Sequence, residues 1–217
     1  MRHGNSVAII LANSSDLEDK QTLEILKNLS SVIESVSLVG RIVLIASEFV
    51  NESLVKSGLN FSHNVTLIKV PTTRGALATL CLGIHAAGDT NDLLVVPVNC
   101  LVEKSEIEKF LNYVQSNVNE IGILAINSTD PIYSYARVTQ SSKIIEIIEK
   151  RVIGDLALSG IFYFRSTKSL LACATWSFKN NLSTNGQFYI APALNYFIAK
   201  GESFGVVLLE LDAFTRI

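Results

Sequence analysis

Four short apolar runs constrain the fold of this chain more than any other feature. Residues 7–12 (VAIILA), 41–46 (RIVLIA), 65–70 (VTLIKV) and 93–98 (LLVVPV) are largely continuous rather than alternating. Such a run is what a strand covered on both faces requires. Helical patterns separate them. Leu23, Leu26, Leu29, Ile33 and Val36 recur at helical spacing, Gly58 closes a short helix predicted over 48–57, and residues 76–87 and 105–116 read as two more helices. This βαβα rhythm predicts a mostly parallel sheet with right-handed crossovers and helices on both faces. After Ile121 the rhythm changes to short strands with turns between them, at 121–126, 135–138, 144–148 and 160–164. A hairpin turn is expected at Ser141-Ser142, helices over 167–178 and 190–200, and a last strand over 206–211. No linker or repeat interrupts the 217 residues, so a single domain spanning 1–217 is expected.

The composition narrows the function. With 48% hydrophobic and 18% charged residues, the chain has ample material for a large core. A net charge of -2 leaves no basic surplus to neutralise phosphates, which argues against a nucleic-acid partner. No apolar run approaches the roughly 20 residues of a membrane helix, so neither a membrane partner nor an export signal is expected, and the location is read as cytoplasmic. Cys81, Cys100 and Cys173 are widely spaced and match no zinc pattern; they read as reduced, buried thiols. His3, His63 and His85 have no companion spacing either.

The chemistry concentrates in the second half. Residues 131–138 (PIYSYARV), 144–150 (IIEIIEK) and 158–164 (LSGIFYF) read as strand, turn, strand, Glu149-Lys150, then an apolar strand carrying Gly160. A carboxylate can accept from two vicinal hydroxyls, and an ammonium is a compact partner for a phosphate. Taken alone, Glu149-Lys150 reads as an exposed strand end, and Gly75 as a loop glycine. Their company alters that. The order and spacing of these segments, followed by 185–192 (NGQFYIAP) and preceded by 73–79 (TRGALAT), resemble the sugar-1-phosphate nucleotidyltransferases of the glucose-1-phosphate thymidylyltransferase type. The resemblance covers about residues 65–204. It implies an α/β fold, the three-layer α/β/α nucleotide-diphosphosugar transferase (glycosyltransferase A-type) architecture with a mixed central sheet. It also implies a sugar side formed by Tyr135, Glu149, Lys150, Gly160, Asn185 and Gln187, and a nucleotide side formed by Gly75, Ala76 and Asn99.

Three departures from that family bear on catalysis. After the first strand the family carries a glycine- and arginine-bearing loop that cradles the triphosphate; here the sequence is Asn13-Ser-Ser-Asp-Leu-Glu-Asp19, rich in carboxylates. At the end of the fourth strand the family's metal-binding Asp is replaced by Asn99, a neutral donor, where Mg²⁺ in phosphoryl transfer relies on carboxylates. Near the last strand Asp212 is the one carboxylate left for a second metal position, and Gln187 stands in place of a family Glu. The sequence therefore reads as a degenerate member. It is expected to bind a sugar phosphate or nucleotide sugar in sugar-nucleotide or surface-polysaccharide metabolism, with no catalytic residue and no metal assigned. Two alternatives stay open: an active, Mg²⁺-dependent sugar-1-phosphate nucleotidyltransferase, and a non-catalytic scaffold or partner subunit, with room for a homo-oligomer.

Overall fold

The computed structural model describes residues 6–12, 19–47 and 64–216, apart from the side chains of residues 19–23, 91 and 211. Residues 13–18 of the carboxylate-rich segment and the helix read at 48–57 lie outside the described residues. The elements follow in order: β1 (Ser6–Ala12), α1 (Asp19–Ser35), β2 (Val39–Ser47), β3 (Val65–Val70), α2 (Ala76–Gly83), β4 (Asn91–Pro97), β5 (Cys100–Val102), α3 (Lys104–Ser116), β6 (Ile121–Asn127), β7 (Ser134–Val138), β8 (Ile144–Ile148), β9 (Leu156–Ser166), α4 (Thr167–Lys179), α5 (Ile190–Ala193), α6 (Asn195–Ala199), β10 (Phe204–Leu208) and β11 (Phe214–Arg216).

The central sheet runs β10-β6-β9-β4-β1-β2-β3, with the β7–β8 hairpin attached to β9. All neighbours along that path are parallel except β9, which is antiparallel to both β4 and β6. The mixed α/β sheet expected from the sequence is therefore present. Successive side chains of β1 go to opposite faces. Ala8, Ile10 and Ala12 join α1 and α3 through Leu26, Leu29, Ile33, Phe110 and Leu111. Val7, Ile9 and Leu11 join the opposite layer through Leu77, Leu80, Leu170 and Phe197. Every residue of β1 is buried, as its unbroken apolar run requires.

The strand order reverses beside β1. One crossover leads to β2 on one side, and the return from β3 through α2 enters β4 on the other. In open α/β sheets the crevice at the carboxyl ends of such strands is where ligands bind. Here that edge contains Ala12, Pro97 and Asn99.

β9 shapes this edge by changing neighbours midway. Its residues Leu156 to Leu158 pair with β7, whereas Phe162 to Ser166 pair with β4. The change occurs at Ser159-Gly160. Gly160 has φ +96°, and a β-carbon there would lie 3.1 Å from Pro97 Cγ. A glycine is needed for both reasons. The kink shifts the ladder with β6 past Leu124, and the Ser159 hydroxyl donates to the Leu124 carbonyl instead (2.7 Å).

Two expectations for the second half are corrected. The helix read over 190–200 is two short pieces, α5 and α6, joined through Leu194. The last strand read over 206–211 ends at Leu208. The chain then passes through a 3₁₀ turn at Leu211–Ala213 into β11, which pairs antiparallel with β5. Short, mostly polar segments such as Phe214–Arg216 carry too little periodicity to be read as strands.

Candidate functional site

Three local devices bring the site segments together. The first joins the start of α2 to the 184–190 segment. Asn185 and Gly186 both have positive φ, 51° and 74°, and Thr184 and Gln187 exchange backbone hydrogen bonds of 2.9 and 3.0 Å across them. This is the tight turn for which Asn-Gly is the favoured pair. The turn sends Phe188 back along Arg74 and Leu77: Phe188 N donates to the Arg74 carbonyl (2.7 Å), and Leu77 N donates to the Phe188 carbonyl (3.0 Å). Gly75, with φ +105°, lies so close that a β-carbon would sit 2.5 Å from the Phe188 carbonyl oxygen. Its want of a side chain is therefore used within the protein, by this peptide. Ala76 opens α2 immediately after it.

The second device pins β8. Asn195, at the start of α6, accepts from Ile147 N (3.0 Å) and donates to the Ile147 carbonyl (2.7 Å), imitating a neighbouring strand. The chain then turns through Glu149 and Lys150, the latter in the left-handed region (φ 52°). Glu149 is only 8% exposed, and the Ser134 hydroxyl at the start of β7 donates to its carboxylate. Burial pushes the Glu149 carboxyl above its ordinary pKa; the Ser134 hydrogen bond, Lys150 and Arg216 pull the other way. Lys150 is exposed. Its ammonium lies 5.2 Å from the centre of the Tyr189 ring and donates to the Tyr189 hydroxyl (3.3 Å).

The third device is β11, which sets Arg216 opposite Cys100, one residue past Asn99. The guanidinium carbon lies 5.2 Å from the centre of the Tyr133 ring. The buried Cys100 thiol donates to the Ser159 carbonyl (3.1 Å). Burial pushes it up to about 12, against the pull of Arg216, so it stays protonated at neutral pH.

Of the residues singled out from the sequence, Glu149 and Lys150 are adjacent. Gly75 and Ala76 meet the Asn185 turn through Phe188, and Gly160 and Asn99 flank Cys100. Asn185 and Gln187 are exposed, and Asn185 also makes the turn. Tyr135 is fully buried, and its hydroxyl donates to the Asp130 carbonyl (2.7 Å), so it supports β7 from within the core. Asp212 is exposed. It lines a groove of about 320 Å³ with Asn28, Leu29 and Glu103, between α1 and the β5–β11 pair. The donors described at the end of β4, a carboxamide and a protonated thiol, do not suit Mg²⁺. Among the described residues no group of three His, Cys, Asp or Glu could hold a metal ion.

Ser134, Phe188, Tyr189, Asn195 and Arg216 were not singled out from the sequence. Tyr189 lies inside the NGQFYIAP segment and could have been found there. Arg216 carried no signal, because its place depends on β11 finding β5.

No protein-family model matches the chain, and no curated protein matches it. Solved structures do match it in fold. A nucleoside-diphosphate-sugar pyrophosphorylase from Vibrio cholerae RC9 superposes with TM-score 0.73 at 18% identity, over 97% of this chain and 94% of that one. A protein from Bacillus anthracis, provisionally described as a glucose-1-phosphate thymidylyltransferase and solved with sucrose, gives 0.71 at 17% identity, over 94% and 87%. A CMP:2-keto-3-deoxy-manno-octonic acid synthetase complexed with CTP gives 0.67 at 9% identity, over 95% and 90%. At these identities the likeness establishes the nucleotidyltransferase-type fold.

Proposed function

We propose that this protein binds a sugar phosphate or a nucleotide sugar at the carboxyl edge of its sheet, as a nucleotidyltransferase-like protein whose triphosphate and metal positions are degraded. The observation that carries this reading is the buried carboxylate of Glu149, held by Ser134 next to the exposed Lys150. A buried charge is costly to keep unless it is used, and carboxyls with perturbed titration cluster at functional sites. Ser134 occupies part of the carboxylate's accepting capacity, and the remainder is what would accept from sugar hydroxyls. Lys150, steadied by Tyr189, is placed to meet a phosphate on the same ligand. The fold of nucleotide-sugar pyrophosphorylases supports the same ligand class.

The degraded half of the reading rests on donor chemistry. Asn99 brings no charge to the end of β4, and the sequence after β1 offers carboxylates where a triphosphate needs amides and cations. Calorimetric titration with a panel of sugar 1-phosphates and nucleotide sugars is expected to show heat for at least one of them. Absence of heat across the panel would overturn ligand binding and favour a scaffold or partner subunit. A coupled assay for pyrophosphate release with Mg²⁺ or Mn²⁺ is expected to show none, and turnover would restore the active-enzyme alternative. Asn99→Asp is expected to tighten Mg²⁺ binding without producing turnover.

A further inference from the structure

We infer that Arg216 is the second cation of the ligand site and binds the anionic group of the ligand together with Lys150. This rests on the functional reading above and extends it to a residue outside the segments that suggested it.

The placement comes from backbone pairing. β11 sets Arg216 directly across from Cys100, next to Asn99, at the carboxyl end of β4. Its guanidinium stacks on Tyr133, whose neighbour Ser134 holds Glu149. Glu149, Tyr133 and Cys100 all feel its charge. Arg216 nevertheless makes no ion pair within 4 Å among the described residues; the recorded pairs involve Lys104, Lys109, Arg137 and Lys168. The half-buried guanidinium lies over the Tyr133 ring, and its planar fork is of the kind that matches phosphate oxygens in pairs. Lys150 and Arg216 set two cations against the single carboxylate of Glu149, the sign of charge a phosphate attracts. The triphosphate loop of the resembling family supplies its cations after the first strand. Here the cation arrives from β11 instead.

The test compares wild type, Arg216→Gln and Arg216→Lys by calorimetry, using the sugar 1-phosphate that binds best and the same sugar without phosphate. Arg216→Gln is expected to weaken the phosphorylated ligand about tenfold, since a charge-assisted pair is lost. The unphosphorylated sugar should be bound as before, and Arg216→Lys should recover part of the loss. Binding of the phosphorylated ligand within twofold of wild type in Arg216→Gln overturns the assignment, with the functional reading intact. Equal loss of both ligands assigns Arg216 a structural role and also overturns it. If wild type binds no sugar phosphate, the functional reading falls. The Arg216 assignment is then judged with inorganic phosphate on the unmodified protein: its Nε–H resonance is expected to shift on titration, and an unmoved resonance overturns it. That measurement serves equally if the variants fail to fold.

Discussion

The Gly75–Phe188 junction and the Glu149–Arg216 corner are neighbours, linked through Tyr189 and Lys150, yet different forces hold them. At the junction, peptides touch peptides: a glycine with φ +105°, backbone hydrogen bonds of 2.7 and 3.0 Å, and the Phe188 ring packed edge-on against Phe178 at 4.9 Å. At the corner a buried carboxyl, an exposed ammonium and a stacked guanidinium lie near one another with no ion pair closed among them. The junction has settled its interactions within the protein. The corner retains charge that no ion pair among the described residues closes.

Mutation can break this contrast. The largest effect is expected at Gly75. A β-carbon there meets backbone at 2.5 Å and holds φ in a region L-residues avoid. Gly75→Ala should cost about 3 kcal/mol or more, and chemical denaturation would read it. At roughly 2–4 °C per kcal/mol for a chain of this size, the melting temperature should fall by about 6 °C or more. A loss below about 1 kcal/mol would mean that the junction yields easily and is not the rigid half of the comparison. Gly160→Ala should cost about 1–3 kcal/mol from its positive φ and the Pro97 contact, again seen by denaturation.

The corner should respond the other way. Glu149→Gln is expected to raise the melting temperature slightly at pH 7 while abolishing heat from the sugar phosphate. The sign follows from burial, which raises the folded-state pKa above the ordinary value of 4.5. The ionised folded protein is then penalised at any pH above the folded pKa. The penalty fades as pH falls through that value and is gone below 4.5. The advantage of the Gln variant over wild type should fade across the same window, which thermal melts at several pH values would show. A Glu149→Gln protein less stable at pH 7 would place Glu149 with the structural junction. Lys150→Ala should have the smallest effect on stability, within about 0.5 kcal/mol, since its contact with Tyr189 is exposed. It should still weaken the phosphorylated ligand, by calorimetry.

How much of this was legible in the sequence depended on range. Glu149, Lys150 and Gly75 could be singled out because each sits in a local pattern with its neighbours. Asn195 and Arg216 could not, and Ser134, although inside the 131–138 segment, gave no sign of its partner. Ser134 meets Glu149 across 15 residues and Asn195 meets β8 across 48. Arg216 reaches the site by pairing with a three-residue strand more than 100 positions earlier. Isolated polar residues carry no periodicity, so nothing announces such partners until the chain has closed.

The sequence by itself determined the layers. Continuous apolar runs such as VAIILA can be satisfied only with helices on both faces, and the order of strands and helices then restricts the crossovers. The tertiary structure alone decided where the charge sits. It kinked β9 at Gly160, gave Phe188 to Gly75, and folded β11 back onto β5 so that Arg216 stands opposite Cys100 with its charge felt at Glu149. Burial patterns follow local periodicity. Electrostatic partnership follows distance in space, which closure of the sheet sets.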